Sequence, residues 1–209
     1  MTDEVLQKSP WFTLFSSPTQ YFSTRKPKLG FIWMTVILSI VSALMEAAVY
    51  SYILRSPQYL QMFAKMTAQQ EAVVKTIMPI STIVGGLIAP WLSVVVLGFL
   101  YWLLAKLFGY SVTYRNAAAL GAHVALFQMI GLAVSVIVTV ATGSYVASLL
   151  SLASVIPSSG IMTNILSRIS VFDIWALFIV TIGLAVYTGG SKSKTVWIGV
   201  IVWILSMFI

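Results

Sequence analysis

The stretch IMPISTIVGGLIAPWLSVVVLGFLYWLLAKLF, Ile77 to Phe108, holds a single charged side chain, Lys106. A helix rises 1.5 Å per residue, so about twenty apolar residues cross the ~30 Å hydrocarbon core of a bilayer. This run exceeds that length and has no polar face to turn toward water. It predicts a membrane-spanning helix, and the rest of the chain repeats the pattern. Leu29–Tyr52, Ala117–Thr142 and Val171–Thr188 are similar runs. Thr195–Ile209 is a fifth and shorter one, which spans only if Lys192 and Lys194 snorkel and its helix starts near Ser191.

Composition gives the same reading. Hydrophobic residues make up 59% of the 209 and charged residues 8%. Soluble domains keep roughly a quarter of their residues charged, so these charges are too few to clothe a surface in water. The expected fold class is all-α: a polytopic bundle of about five transmembrane helices, residues 29–209, preceded by a cytoplasmic segment, residues 1–28. The first 28 residues lack the continuous apolar core of a cleavable signal. With no cysteine in the chain, disulfides and thiolate chemistry are excluded. The net charge of +7 comes from basic residues scattered at the ends of apolar runs, which is a topology signal and not a nucleic-acid face.

Orientation follows from counting Lys and Arg. With the N-terminus inside, Lys8, Arg25, Lys26, Lys28, Lys106, Arg115, Lys192 and Lys194 are cytoplasmic, and Arg55, Lys65, Lys75 and Arg168 lie outside. That excess favours a cytoplasmic N-terminus and, with five spans, an extracytoplasmic C-terminus. Before the first span, Trp11, Phe12, Phe15, Tyr21 and Phe22 stand close to Arg25 and Lys26, and Ser17-Pro18-Thr19-Gln20 has the form of a helix start. This predicts a short helix at the inner interface, with these residues and Lys192 and Lys194 as candidate partner or lipid contacts. Pro57–Ile77 has helical spacing and predicts an outer amphipathic helix. Residues 143–170 read as a second outer segment that rests on the membrane or folds back into the bundle.

Chemistry is sparse. The acids number five and the histidines one. His123 lies near the start of the third run and Asp173 at the outer start of the fourth, most of a bilayer apart, so no catalytic triad assembles from them. One histidine and scattered carboxylates do not supply a metal site, no phosphate-binding loop is present, and no cofactor is expected. Glu46, His123 and Asp173 are the candidate intramembrane polar sites. Glu46 and His123 could each serve a proton or substrate path, or simply a hydrogen bond between helices. Gly86 and Pro90 mark a candidate kink in the second run, because Pro90 lacks the amide that would bond the Gly86 carbonyl. Ala117, Ala118, Gly121, Ala122 and Ala125 permit close helix packing or a homo-oligomer.

Several short motifs fall in a familiar order. Ser17-Pro18-Thr19-Gln20-Tyr21-Phe22 with Pro27, Tyr114-Arg115-Asn116-Ala117, Phe172-Asp173-Ile174-Trp175, Ile182-Gly183-Leu184 and Ser191-Lys192-Ser193-Lys194 together resemble bacterial Yip-domain proteins, the Ypt-interacting-protein family. The likeness runs from about residue 10 to the end. Where that family usually has a Tyr and a Pro early in its third helix, this chain has Gly121-Ala122-His123 and Phe127-Gln128. The motifs that eukaryotic members present to small GTPases are missing, so that binding is not carried over. The resemblance implies a five-helix membrane protein that is not an enzyme. It also implies partners in the membrane besides lipid, plausibly the permease or adaptor of an ABC-type exporter for antimicrobial-peptide export or resistance. The alternative is a small transporter or channel working through Glu46 and His123.

Overall fold

The computed structural model describes residues 10–24, 30–145, 150–156 and 160–208. Two short helices come first, α1 (Pro10–Ser16) and α2 (Pro18–Thr24). The first long helix is α3 (Gly30–Leu54), followed by the short α4 (Pro57–Phe63). Then α5 (Ala68–Leu92), a π-helical turn (Ser93–Leu97) and α6 (Gly98–Leu107) run as one 40-residue helix. The remaining helices are α7 (Tyr114–Thr142), α8 (Ile161–Ser167), α9 (Val171–Thr188) and α10 (Lys192–Ser206). The architecture is the expected all-α polytopic bundle.

Among the described residues, four helices are long and apolar enough to cross a membrane: α3, the α5–α6 helix, α7 and α9. The 15-residue α10 reaches about 22 Å and packs on α9 and α6 as the fifth member of the bundle. Its Gly189 neighbour takes the left-handed conformation (φ 62°) that ends α9 and lets the chain reverse over three residues. One face of the bundle carries the starts of α3, α7 and α10 and the ends of α6 and α9. It is called here the N-terminal face, and the opposite one the distal face.

The helix expected over Pro57–Ile77 is two helices. The Thr67 side chain accepts from the Gln70 amide (3.3 Å), and the Gln70 side chain accepts from the Thr67 amide (2.9 Å). This reciprocal cap stops α4 and starts α5 nine residues earlier than the apolar run suggests. On the distal face Glu71 and Lys75 pair at 2.6 Å, and Lys75 also lies over the Phe63 ring (5.3 Å), which ties α4 to α5.

Central to the bundle is α7, which contacts α3, α6, α9 and the π-turn. Every residue from Ala117 to Ala125 is buried. Small residues set how close the neighbours come. A Cβ on Gly98 would stand 2.7 Å from the Ala118 Cα, and one on Gly121 would stand 2.6 Å from the Ser93 carbonyl oxygen. Between α3 and α5, a Cβ on Gly86 would meet the Ala43 Cα and N at 2.9 Å. Neither backbone can move aside without parting the helices. Gly85, one residue earlier, faces open space.

That contrast gives a paired prediction. Gly86→Ala forces α3 and α5 apart and costs about 1–3 kcal/mol, as overpacking does, while Gly85→Ala is neutral or slightly stabilising. Thermal unfolding of the two variants in the same detergent checks it, and equal melting temperatures would contradict the packing.

Candidate functional site

The N-terminal helices do more than lie at an interface. Leu14, Tyr21 and Phe22 belong to the main hydrophobic core, with Phe22 only 2% exposed. A Cβ on Gly183 of α9 would touch the Phe22 ring at 2.9 Å, so that glycine opens the slot which the ring fills. Phe22 also packs edge-on against His123 and Tyr187. Phe15 meets Phe127 and Trp175 edge-on. Phe127 lies thirteen residues beyond the start of α7, about 20 Å along it. Residues 10–24 therefore run into the bundle along α7 and α9 to roughly half its depth.

His123 is the polar centre of this contact. It is 5% exposed, its Nδ1 lies 2.6 Å from the Ala119 carbonyl oxygen, and its Nε2 lies 3.1 Å from the Tyr21 hydroxyl. A carbonyl only accepts, so Nδ1 carries the proton and donates. In the neutral ring Nε2 then accepts from the Tyr21 hydroxyl. Both ring nitrogens are thus satisfied by the protein. The pair fastens α2 to α7 across 102 residues of sequence.

The other polar residues are dispersed. Asp173 and Ser170 cap α9 reciprocally: the Asp173 amide donates to the Ser170 Oγ (3.1 Å) and the Ser170 amide to the Asp173 Oδ2 (3.2 Å). Glu46 is half-buried in the distal half of α3. Its charge reaches Tyr145, whose phenol is pushed up first by burial and then by Glu46 and Tyr59. His123 sits nearer the N-terminal face than either acid, so the three do not form one site. Gly86 and Pro90 are buried, and the irregularity near them is the π-turn three residues beyond Pro90. Within it Ser93 donates to the Gln128 Oε1 at 3.3 Å.

Tyr21 and Phe22, expected as outward contacts, are interior because α9 offers Gly183 and α7 offers His123 to receive them. Phe12 is 56% and Phe15 42% exposed, so these two keep an outward surface. Trp11 lies on α1, but its side chain is outside the described residues, as are Arg25 and Lys26 and the boundary drawn at residue 28. Lys192 and Lys194 are exposed in the first turn of α10. Cations there oppose the helix dipole, so their position answers to the surroundings of that face and not to helix stability.

The chain matches the Yip1 domain over residues 12–209. It belongs to the Yip1-domain family. It is 30% identical to the membrane protein YknW of Bacillus subtilis (strain 168) over 202 residues, which cover 94% of this chain and 85% of YknW. No solved structure matches. The family match begins at Phe12, so the inserted N-terminal helices lie inside the Yip1 domain and are not an appendage to it.

Within this domain the Tyr21–His123 contact is a buried polar bond that holds α2. Tyr21→Phe leaves the buried Nε2 without that donor and costs about 1–3 kcal/mol, while Tyr21→Phe with His123→Phe costs less than the sum of the single changes by at least about 0.5 kcal/mol. Unfolding of the four proteins in one detergent measures the coupling, and strict additivity would mean that the two side chains do not interact.

Proposed function

We propose that this Yip1-domain protein is a non-enzymatic scaffold or accessory subunit of the bacterial cytoplasmic membrane. Its partner is another membrane protein, the permease or adaptor of an ABC-type exporter that serves antimicrobial-peptide export or resistance. The observation that carries the reading is the outer flank of the α5–α6 helix. Exposed apolar side chains run along it from Val73 through Ile80, Leu87 and Val95 to Leu107. They cover 34 residues, about 51 Å, against a hydrocarbon core of ~30 Å. Lipid tails cover such a flank only where the helix tilts strongly or the bilayer thickens, and the face of a second membrane protein covers it without either.

The transporter alternative uses Glu46 and His123 as a path. The engaged nitrogens of His123 and its separation from Glu46 favour the scaffold. Lys106, Arg115, Lys192 and Lys194 on the N-terminal face, joined by the sequence positions Lys8, Arg25, Lys26 and Lys28, support a cytoplasmic location for that face. In this reading the end of α10 is extracytoplasmic.

Tagged protein drawn from its native membrane in mild detergent should bring an ABC-type permease or adaptor with it. Recovery of this chain by itself would overturn the assignment, and substrate flux from the purified chain in liposomes would favour the alternative. A tag at the C-terminus should react with impermeant probes from outside intact cells; reaction only after lysis would reverse the orientation.

A further inference from the structure

Two grooves join on the distal face. The first, about 870 Å³, lies between α4 and the first turns of α5. Exposed Gln61, Lys65 and Gln69 form its rim, and half-buried Met62, Met66 and Val74 its floor. The second, about 260 Å³, shares Met62, Val73 and Val74 with it and continues along α5 past Ile77 and Met78 to Ser81. Together they run from Gln69 to Ser81, about 18 Å along α5.

Helix register places this groove against the bilayer. Ala43 of α3 meets Gly86 of the antiparallel α5. Eleven residues beyond Ala43, Leu54 ends α3, and eleven before Gly86 stands Lys75, so the two are level. Arg55 follows Leu54, and cations at helix ends lie among lipid headgroups. Gln69 is about 9 Å beyond that level, toward water, and Ser81 about 9 Å inside it. The groove therefore crosses the headgroup layer, polar at its outer end and apolar at its inner end. The apolar part, Val73 to Ser81, is about 12 Å long, against about 15 Å for one leaflet's share of the hydrocarbon core. Met62, Met66 and Met78 let it fit chains of differing shape.

The charge on the rim is uncompensated. Glu71 is bound to Lys75 at 2.6 Å, Asp173 caps α9, and Glu46 lies back in α3. The Lys65 ammonium has no partner among the described residues, nor have the side-chain amides of Gln61 and Gln69. One cation and two amides thus stand over an apolar gutter with no anion to meet them.

We infer that this groove binds an anionic phospholipid of the distal leaflet. Lys65 holds its phosphate together with Gln61 and Gln69, and one acyl chain lies along Met62, Val73, Val74 and Ile77. A zwitterionic head would bring a second cation to Lys65, so the site selects negative charge. The groove is complete within this chain and does not need the partner proposed above.

The chain has no cysteine, so a single bimane fluorophore can be attached without background. Val73→Cys and Ile77→Cys put it in the groove, and Leu44→Cys, at a position 66% exposed on α3, puts it against bulk lipid. Each variant is placed in phosphatidylcholine nanodiscs doped with doxyl-labelled phosphatidylglycerol or doxyl-labelled phosphatidylcholine, after gel filtration shows that it is folded. One lysine at an anionic headgroup is worth about fivefold in binding. In the groove, phosphatidylglycerol should therefore reach half-quenching at about one-fifth of the mole fraction that phosphatidylcholine needs. At Leu44→Cys the two lipids should act alike. Lys65→Gln should abolish the preference and Lys65→Arg should keep it. Equal quenching by the two lipids in the groove, or the same preference at Leu44→Cys, overturns the inference. So does a preference that survives Lys65→Gln, and so does weak quenching by both lipids, which would leave the groove to a protein segment.

Discussion

A bilayer core removes the ordinary reason for helices to associate, because lipid tails are as apolar as leucine. What remains is close packing and the need to pair every polar group. In this protein both are met on α7. Its small residues let the α6 backbone approach at Ala118 and the π-turn approach at Gly121. Its buried imidazole, His123, supplies a polar bond to α2. The same few turns of helix therefore fix the distance to the second span and the place of the N-terminal segment. Most of the core cluster follows from them, since Leu120, Val124 and Phe127 of α7 meet Tyr101, Val180 and Leu184 within it.

The N-terminal segment shows how packing and polarity cooperate. Phe22 fills a slot that Gly183 leaves open, and Phe15 adds two edge-on ring contacts. These are shape contacts and would tolerate some slippage along α9. The hydrogen bond from Tyr21 to His123 does not, because a slide of one residue would separate hydroxyl from imidazole in a medium that offers no substitute. The bond thus sets the register, and the aromatic rings provide the area. Pro18 suits this arrangement: its missing amide falls at the first position of α2, where no intrahelical bond is lost.

Much of this was legible from residue patterns, and the misses have physical causes. Four spans announce themselves by apolar length, and the weakness of the fifth is visible in its fifteen residues. The break between α4 and α5 was readable too, since Thr67-x-x-Gln70 is the same kind of signal as Ser17-x-x-Gln20, but the apolar spacing across it masked the cap. The depth of α1 and α2 was not readable. Aromatics beside basic residues look alike whether they face headgroups or a groove in protein, and only the coincidence of Gly183 with Phe22 decides between them. His123 stands out in the sequence as a lone histidine in an apolar run, yet its partner lies 102 residues away and no local pattern points to it. Gln128 escaped notice because a lone amide is unremarkable until its partner Ser93, thirty-five residues away in the π-turn, is known.

Helix length links the two ends of this molecule. The α5–α6 helix has 40 residues and α10 has 15, yet both pack in one bundle. A flat bilayer of uniform thickness cannot match both, so the mismatch has to be resolved beside one helix or the other. On the long side the surplus surface is apolar, including Val73 and Ile80, and a second apolar surface resolves it best. On the short side the last carbonyls of α10 close on their own turn, Ile204 accepting from the Met207 amide and Leu205 from the Phe208 amide, and exposed side chains such as Val196, Trp197 and Ile204 are apolar. Lipid tails suit that side as it stands. A partner that covered the long flank would leave the short side free, so a protein built this way offers a membrane complex one flank to bind.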